Sequence, residues 1–565
     1  MTRLAALTLT AVLLAAPEAW AQAVLPSVAV PDASHVLAPP AVPPMLAPRP
    51  PRTEPAPELP GVQDKGVHYH FAQVRIAGAG VVPADSIAAL FDGLTGQDVS
   101  PAALKTALDA VNALYLRQGY PLGRAYVPAQ VIHGGTLVVR VVEGYVEKIT
   151  VLCGDDKARA LVTRIAQAVT RARPLTSRAL ERTMLLIQDL PGITVGSKFD
   201  HMNPQTGGTT LVVSAAVKPL ALGLYLDNRA NLDALPFQPY LTATMNNLLG
   251  WGDQISLTAL LSPRQKDYAF YSLSVSRWIS DDGLTAGVNA SWAQALDNRS
   301  LPPYDLRSLS SQLSGILRYP LMRATAENLN LQGRLYYTSA SYALQHFSFA
   351  KDKVTALEAG GDYARAFSDS LGLGADMYLA QGFGGAGRGG HTRAGADGSF
   401  TKLRGHARLI YKPAPEISLI VKTRGQYSGD SLFASEEVTF GGLNFGRGFG
   451  TSEAAGDSGF GLSFQPEYTL ALDMLGWGLG WSLTPYVFSD YAKTYNTRGD
   501  GQADAELVSA GGGLRIGIAG LTTLTLELDK PLGRVPLYRH DRNFRFYAGF
   551  EIGVDRALQL IGGSP

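Results

Sequence analysis

The chain has 565 residues, a formal net charge of +1 and 17% charged residues, against about 25% in ordinary soluble domains. The near-neutral charge gives no indication of nucleic acid or another polyanion as a partner. The single cysteine, Cys153, excludes an internal disulfide and a zinc site built from several cysteines.

The amino-terminal residues 1–21 are predicted to be a secretory signal peptide. Arg3 precedes an apolar run from Leu4 to Ala16, and Ala19-Trp20-Ala21 fits the small-x-small pattern before a cleavage point. We therefore expect a chain that leaves the cytoplasm. Residues 22–67 are predicted to form a linker, because they are dense in prolines that favour extended chain over a packed core.

Between residues 68 and 219 a pattern of strand, helix, helix, strand, strand occurs twice, which predicts two small α+β domains, 68–145 and 146–219. In the first we predict strands at 71–76, 125–127 and 136–142 and helices at 83–90 and 100–117. In the second we predict strands at 146–152, 193–198 and 209–216 and helices at 158–171 and 177–190.

From residue 220 to 554 the helical period disappears, and about sixteen segments of alternating polarity follow one another between turns. Leu524, Leu526 and Leu528, for example, oppose Glu527 and Asp529. No window of 18 or more apolar residues follows the signal peptide, so a closed barrel is the remaining way to span a membrane. The fold class predicted is mainly β, an antiparallel transmembrane barrel of about sixteen strands with a water-filled lumen. A large soluble β-sandwich or propeller is the alternative fold. Residues 555–565 are predicted to be a C-terminal tail after the last strand.

The glycine-rich segment 438–450 places Arg447 on a flexible tip, and Asp490 follows about forty residues later on a predicted strand. On this strand Tyr486 and Asp490 share the polar face, whereas Leu483 and Val487 share the apolar one. If the apolar face meets lipid, Asp490 points into the lumen, where an arginine on an inward-folded loop is able to pair with it. A solvated surface arginine is the alternative.

No active site is expected. Gly456-Asp457-Ser458-Gly459 is similar to a serine-protease motif, but no histidine occurs in the expected upstream context. His68 and His70 lack a third metal ligand, and the glycine-rich loop 387–390 has no following Lys-Ser/Thr of a P-loop. The prediction is a protein without catalysis, metal or cofactor.

Eight short motifs follow one another along the chain. They are Gly119-Tyr120, Pro128-Ala129-Gln130, Gly135-Thr136-Leu137, Val142-Glu143-Gly144, Leu190-Pro191-Gly192, Asp227-Asn228, Asn247-Leu248-Leu249-Gly250-Trp251-Gly252-Asp253 and Gly511-Gly512-Gly513-Leu514-Arg515. In this order they resemble the transporters of two-partner secretion, the haemolysin and filamentous-haemagglutinin exporters related to BamA-type barrels. The resemblance covers nearly all of residues 68–554 and implies that 68–145 and 146–219 are the two periplasmic POTRA domains and 220–554 is the barrel.

The resemblance also implies a latch between a loop and the lumen. The family carries a V-R-G-Y/F tip on its sixth extracellular loop and an F-x-D on a later strand, whose arginine and aspartate meet inside the barrel. Here Gly446 stands in place of the valine, and the implied latch residues are Arg447, Gly448, Phe449, Phe488 and Asp490. Many relatives plug the pore with a helix before the first POTRA domain, for which residues 22–61 are too rich in proline.

The function implied is an outer-membrane pore of a Gram-negative bacterium, with its POTRA domains in the periplasm. It would receive one large unfolded exoprotein, of haemolysin or adhesin type with an amino-terminal secretion domain, on its POTRA sheet edges and pass it to the cell surface without nucleotide. The other expected partner is outer-membrane lipid. An assembly factor of the BamA type and a passive porin are the alternatives, and the two POTRA domains favour secretion.

Overall fold

The computed structural model describes residues 68–553, apart from residues 133, 230–236, 261–267, 298–305, 346, 385–390, 394, 473–479, 498–502, 519–520 and 538–539. The predicted signal peptide, proline-rich linker and C-terminal tail lie outside these residues, as does any plug helix before residue 68. In the part of the chain that is described, no helix is both long and apolar enough to cross a membrane.

The first unit is a three-stranded sheet with helices packed on it. Its elements are β1 (Tyr69–His70), β2 (Gln73–Ala77), α1 (Ala84–Ala88) followed by a 3-10 helix (Ala89–Leu94), β3 (Asp98–Val99), α2 (Pro101–Arg117), β4 (Gly123–Tyr126) and β5 (Thr136–Glu143). Strand β5 lies in the centre, parallel to β2 and antiparallel to β4. Helix α2 begins at Pro101, where the Ser100 hydroxyl accepts a hydrogen bond from the Ala103 amide.

The second unit repeats this order. Its elements are β6 (Tyr145–Leu152), α3 (Asp156–Ala166) followed by a 3-10 helix (Gln167–Arg171), α4 (Ser177–Gln188), β7 (Ile193–Met202) and β8 (Gly208–Val217). Strand β8 lies between the parallel β6 and the antiparallel β7. In both units the first predicted helix is wrong at its end, because residues 89–90 and residues 167–171 belong to 3-10 helices, a common way for a short α-helix to end.

The Val142-Glu143-Gly144 motif joins the two units. Glu143 accepts hydrogen bonds from the amides of Gly80 (2.7 Å) and Val81 (2.8 Å) and from the Tyr115 hydroxyl (2.9 Å). Burial, together with Glu143, raises the pKa of the Tyr115 phenol. A Cβ at Gly144 would collide with atoms of both units, so a side chain there would force them apart.

The third part is a closed antiparallel barrel. Its wall consists of β9 (Leu220–Asp227), β10 (Gln238–Asn246), β11 (Gln254–Leu260), β12 (Tyr268–Trp278), β13 (Thr285–Asp297), β14 (Leu306–Arg323), β15 (Glu327–Leu344), β16 (Phe347–Ser368), β17 (Leu371–Phe383), β18 (Ser399–Ala414), β19 (Ile417–Ser428), β22 (Ser458–Tyr468), β23 (Leu470–Leu472), β24 (Trp481–Tyr495), β25 (Ala505–Ile518), β26 (Thr522–Pro531) and β27 (Arg545–Gly553). Strands β20 (Val438–Phe440) and β21 (Ala454–Gly456) form a separate two-stranded sheet in the loop between β19 and β22. Strands β22 and β23 both pair with β24 and fill one wall position, so the barrel has 16 strands, as predicted.

The barrel wall alternates between an apolar outside and a polar inside. On β24, Tyr486, Phe488 and Asp490 are buried, whereas Val487 between them is 59% exposed. Large apolar side chains on the outer face are about half exposed along the other strands, as with Leu335 on β15. Side chains of this kind face lipid in a membrane barrel, and the polar side chains opposite line the lumen.

The second unit is docked on the strand turns at one end of the barrel. Arg182 on α4 donates to the carbonyl of Pro320 at 3.0 Å, and the Glu181 carboxylate accepts from the Thr325 amide at 2.7 Å. Arg323 on β14 forms two hydrogen bonds of 2.7 Å with Asp189. The longer loops lie at the opposite end, and among them is the loop between β19 and β22.

Candidate functional site

The loop between β19 and β22, residues 429–457, is the sixth at its end of the barrel and is called loop 6 here. It contains a short hairpin of β20 (Val438–Phe440) and β21 (Ala454–Gly456), and its tip connects the two strands. The aromatic side chains of the loop pack on the inner wall, on Ala492 of β24 and Leu507 of β25. Loop 6 therefore folds into the lumen.

Glycine at position 446 suits the tip. Gly446 has a φ of +75°, and its carbonyl accepts a hydrogen bond of 2.9 Å from the Phe449 amide, which closes a tight turn around Arg447. A β-branched residue would be strained at this backbone conformation. The departure from the family's valine is thus accommodated by a turn that glycine adopts without strain.

Arg447 is buried in the lumen wall and held chiefly by Asp490. Its Nε and Nη2 donate to the two carboxylate oxygens at 3.0 and 2.9 Å, and its own backbone amide donates to Asp490 Oδ2 at 3.1 Å. Nη1 donates to Gln465 at 2.7 Å and Nη2 to Ser463 at 3.1 Å. The structure therefore brings together the two charged residues that the sequence paired.

The ring of Phe488 lies beneath the same guanidinium. Its centroid is 3.3 Å from Arg447 Cζ, which is a close cation–π contact. The ring itself lies across Gly511 of the next strand, where a Cβ would come within 2.6 Å of it. Gly513 leaves room for Tyr486 in the same way. The glycine-rich motif of β25 thus lets two aromatic rings lie flat against the wall.

Gly448 and Phe449 fix the other side of the tip. A Cβ at Gly448 would lie 2.7 Å from the backbone of Lys530 on β26, so only glycine allows this approach. Phe449 is completely buried and packs in an apolar cluster with Phe440 and Phe445 of the loop. All five predicted latch residues therefore lie at one place, between loop 6 and β24 to β26.

A second carboxylate of this site, Glu527 on β26, was not among the residues predicted from the sequence. It accepts from Tyr486 at 2.6 Å, lies 3.5 Å from Arg447 Nη1, and forms a short hydrogen bond with Arg229 next to β9. Arg229 in turn stacks on Tyr547 of β27. Glu527 thus connects the loop tip to the first and last strands of the barrel.

Those two strands meet at the seam that closes the barrel. Within the described residues, strands β9 and β27 pair over five residues each. Just beyond it, the side chain of Asn228 accepts from the Ala548 amide at 2.9 Å and donates to the Phe546 carbonyl at 3.3 Å. Asn228 of the Asp227-Asn228 motif therefore continues the contact between the two strands, with its side-chain amide bonded to the backbone of β27 as a paired strand would be.

The base of loop 6 has its own buried ion cluster. Asp457 accepts from Arg393, which lies in the loop between β17 and β18, and from the amides of Leu432 (2.7 Å) and Thr497 (2.8 Å). Arg393 also donates to Glu437 at 2.6 Å. Burial raises the pKa of the Glu437 carboxyl to about 8 against the opposing charge of Arg393. The protease-like Gly456-Asp457-Ser458-Gly459 segment therefore ties three loops together.

Two protein-family models match the chain. The model of the haemolysin secretion/activation proteins ShlB/FhaC/HecB matches residues 207–516, and that of the ShlB-type POTRA domain matches residues 70–144. The heme/hemopexin transporter protein HuxB of Haemophilus influenzae (strain 86-028NP) is 22% identical over 462 residues, 80% of this chain and 81% of its own. The outer membrane transporter CdiB of Dickeya dadantii (strain 3937) is 23% identical over 365 residues, 62% of this chain and 63% of its own.

Among solved structures, CdiB from Escherichia coli has the same fold, with a TM-score of 0.64 at 18% identity, covering 89% of this chain and 94% of its own. The family model alone covers more than half of the 565 residues. The chain therefore belongs to the haemolysin secretion/activation protein family, the outer-membrane transporters of two-partner secretion with POTRA domains and a barrel.

Proposed function

We propose that this two-partner secretion pore exports one large exoprotein of the haemolysin or adhesin type, whose amino-terminal secretion domain is received unfolded on the POTRA units. We assign residues 68–145 and 146–219 to the two POTRA domains and 220–554 to the barrel. The docking of α4 on the barrel turns supports this arrangement, because it holds the second unit at one mouth of the lumen.

The recognition surface proposed is an outer sheet edge of the POTRA units. Strand β4 has its outer edge occupied, because the Ala125 amide donates to the side chain of Asn112 at 2.8 Å. Strand β2 is the opposite edge of that sheet, and β7 is an outer edge of the second sheet. An extended segment of the partner is able to add to such an edge through its main-chain hydrogen bonds.

Loop 6 is proposed to act as a latch held by Arg447 and Asp490. The observation that carries this proposal is the double hydrogen bond between a loop arginine and a wall aspartate, both buried. The loop tip occupies lumen space that a passing chain needs, so each round of export requires the tip to leave this position and to return to it, and the pair provides the place of return. The pair fixes where the loop rests, since a buried ion pair contributes little net stability compared with an apolar pair.

The export step is proposed to need no catalysis by this chain. The sequence contains no P-loop, and folding of the partner outside the cell supplies a driving force. Asp457, the residue of the protease-like motif, is engaged with Arg393 and two backbone amides and supports loop structure.

Deleting residues 68–219 tests the assignment of recognition. We expect the remaining barrel to insert and conduct ions but to export no partner, with the full-length chain as the control. Partner secretion and single-channel conductance are measured on the same membranes. Continued secretion by the truncated chain would show that recognition lies elsewhere. A loss of unrelated outer-membrane proteins in cells with the truncated chain would favour the assembly-factor alternative.

A further inference from the structure

One lateral row of the barrel wall carries the latch and two further cations. In the strand register Arg408 on β18 lies opposite Lys422 on β19, Lys422 opposite Ser463 on β22, and Ser463 opposite Asp490 on β24. All four residues share the lumen face. Their neighbours along the strands, such as Leu409 beside Arg408 and Leu462 beside Ser463, have exposed apolar side chains on the opposite face. Arg447 of loop 6 is bound to the Ser463 and Asp490 end of this row.

Lys422 and Arg408 stand apart from the other lumen cations of their strands. Lys402 is bound to Glu436 at 2.7 Å, and Arg404 forms two hydrogen bonds with Glu358. Within the described residues, Lys422 and Arg408 form no hydrogen bond or ion pair of their own. Like charges directly opposite each other across two strands are destabilising. The chain thus retains an unfavourable pair immediately beside its latch.

Lys422 is able to reach the latch aspartate. Neighbouring strands are about 4.8 Å apart, so Lys422 and Asp490, with one strand between them, are separated by about 10 Å at the backbone. Both side chains point into the lumen, and the lysine has a flexible four-carbon stem. The residue between them, Ser463, is small and leaves the path open. In the structure this path is closed by Arg447, whose guanidinium occupies both carboxylate oxygens.

We propose that Lys422 is a second partner of Asp490. It pairs with the aspartate when Arg447 leaves with the loop tip. The proposal rests on the latch role of loop 6. A buried carboxylate left without a partner is strongly destabilising. Lys422 removes much of that penalty from the withdrawn state and, at the same time, loses its repulsion by Arg408. The two states of the loop then differ less in free energy than the loss of the Arg447 bonds alone implies.

The test is a comparison of Lys422→Gln in three backgrounds. The backgrounds are the unchanged chain, Arg447→Ala, and Arg447→Ala with Asp490→Asn, each as the full chain in outer membranes. The readout is the temperature at which the folded barrel loses its distinct mobility on denaturing gels. We expect Lys422→Gln not to lower this temperature in the first and third backgrounds and to lower it by about 2–4 °C or more in the second.

Arg408→Gln is the matched control, because it removes the same charge from the same row but one strand further from Asp490. Arg408 repels Lys422 and has no role in pairing with Asp490, so Arg408→Gln should not lower the temperature in any of the three backgrounds. If Arg447→Ala does not insert, Gly448→Val replaces it, since a side chain there expels the tip without removing a charge. The proposal would be overturned if Lys422→Gln changed the unfolding temperature equally in all three backgrounds. It would also be overturned if Lys422→Gln had no effect in the Arg447→Ala background. A failure of the latch itself shows instead as normal secretion by Arg447→Ala.

Discussion

Removing either partner of the latch should impair export, and removing both should be little worse than removing one. Arg447 and Asp490 share three hydrogen bonds of 2.9–3.1 Å, and their side chains are 5% and 0% exposed. Loss of one partner from such a pair costs about 3–5 kcal/mol. Because both changes abolish the same contact, the coupling energy of the cycle should be about 2 kcal/mol or more, against zero for independent residues.

The two single variants should differ in one respect. Arg447→Ala keeps the hydrogen bond from the backbone amide to Asp490, whereas Asp490→Ala removes all three bonds and leaves Arg447 with Gln465, Ser463 and the more distant Glu527. We therefore expect Asp490→Ala to be the more severe change.

The assay is the amount of partner secreted by each variant and by the double variant, normalised to the amount of folded barrel in the membrane. Arg404→Ala and Glu358→Ala form a control cycle, because this pair is also doubly hydrogen-bonded on the lumen wall but does not involve loop 6. The control should affect barrel stability and leave normalised secretion intact. If the losses of the Arg447 and Asp490 variants simply multiply, the two residues act separately and the latch reasoning is refuted.

Three further outcomes are expected. Glu143→Ala should destabilise the first POTRA unit by about 3 kcal/mol, because it leaves two backbone amides without their acceptor. Tyr115→Phe should destabilise it by about 1 kcal/mol, because it removes one hydrogen bond. The protease resistance of this unit in the full chain measures both effects. Asn228→Ala should lower the temperature of barrel unfolding, because it removes two hydrogen bonds across the seam, whereas Thr423→Ala at an exposed position of β19 should not. Glu437 has a raised pKa, so its contribution to the stability of the base of loop 6 is fully present below about pH 4.5 and is lost as the pH rises through about 8. A protease should therefore cleave loop 6 faster at pH 9 than at pH 6, and Glu437→Gln should remove this difference.

The alternation of polarity was sufficient to predict the barrel and the inward direction of Asp490, because each strand residue has only two faces to choose from. It also placed Glu527 and Asp529 on a polar face, which was the signal for the carboxylate that the reasoning missed. Alternation does not give the lateral register between strands, however. That Ser463 lies beside Asp490, or Tyr486 in line with Glu527, depends on loop lengths and strand tilt.

The two charged residues were paired because a family motif linked them, and no local pattern would have joined positions 43 residues apart. The role of Asp457 was beyond sequence reasoning for the same reason, since its partners come from two other loops. The 3-10 ends of α1 and α3 were missed because helical periodicity does not distinguish a 3-10 turn from an α-helical one.

The anchor at the base of loop 6 changes the kinetics expected of its tip. Asp457 and Arg393 hold the loop only ten residues from Arg447, so a released tip stays within a radius of about 35 Å. Recapture by Asp490 is then an intramolecular event, at an effective concentration of about millimolar. With the latch role proposed for loop 6, the transporter would reset after each exported chain by a local search of the loop tip. Its return time would then be set by the length of the tip segment and not by refolding of the barrel.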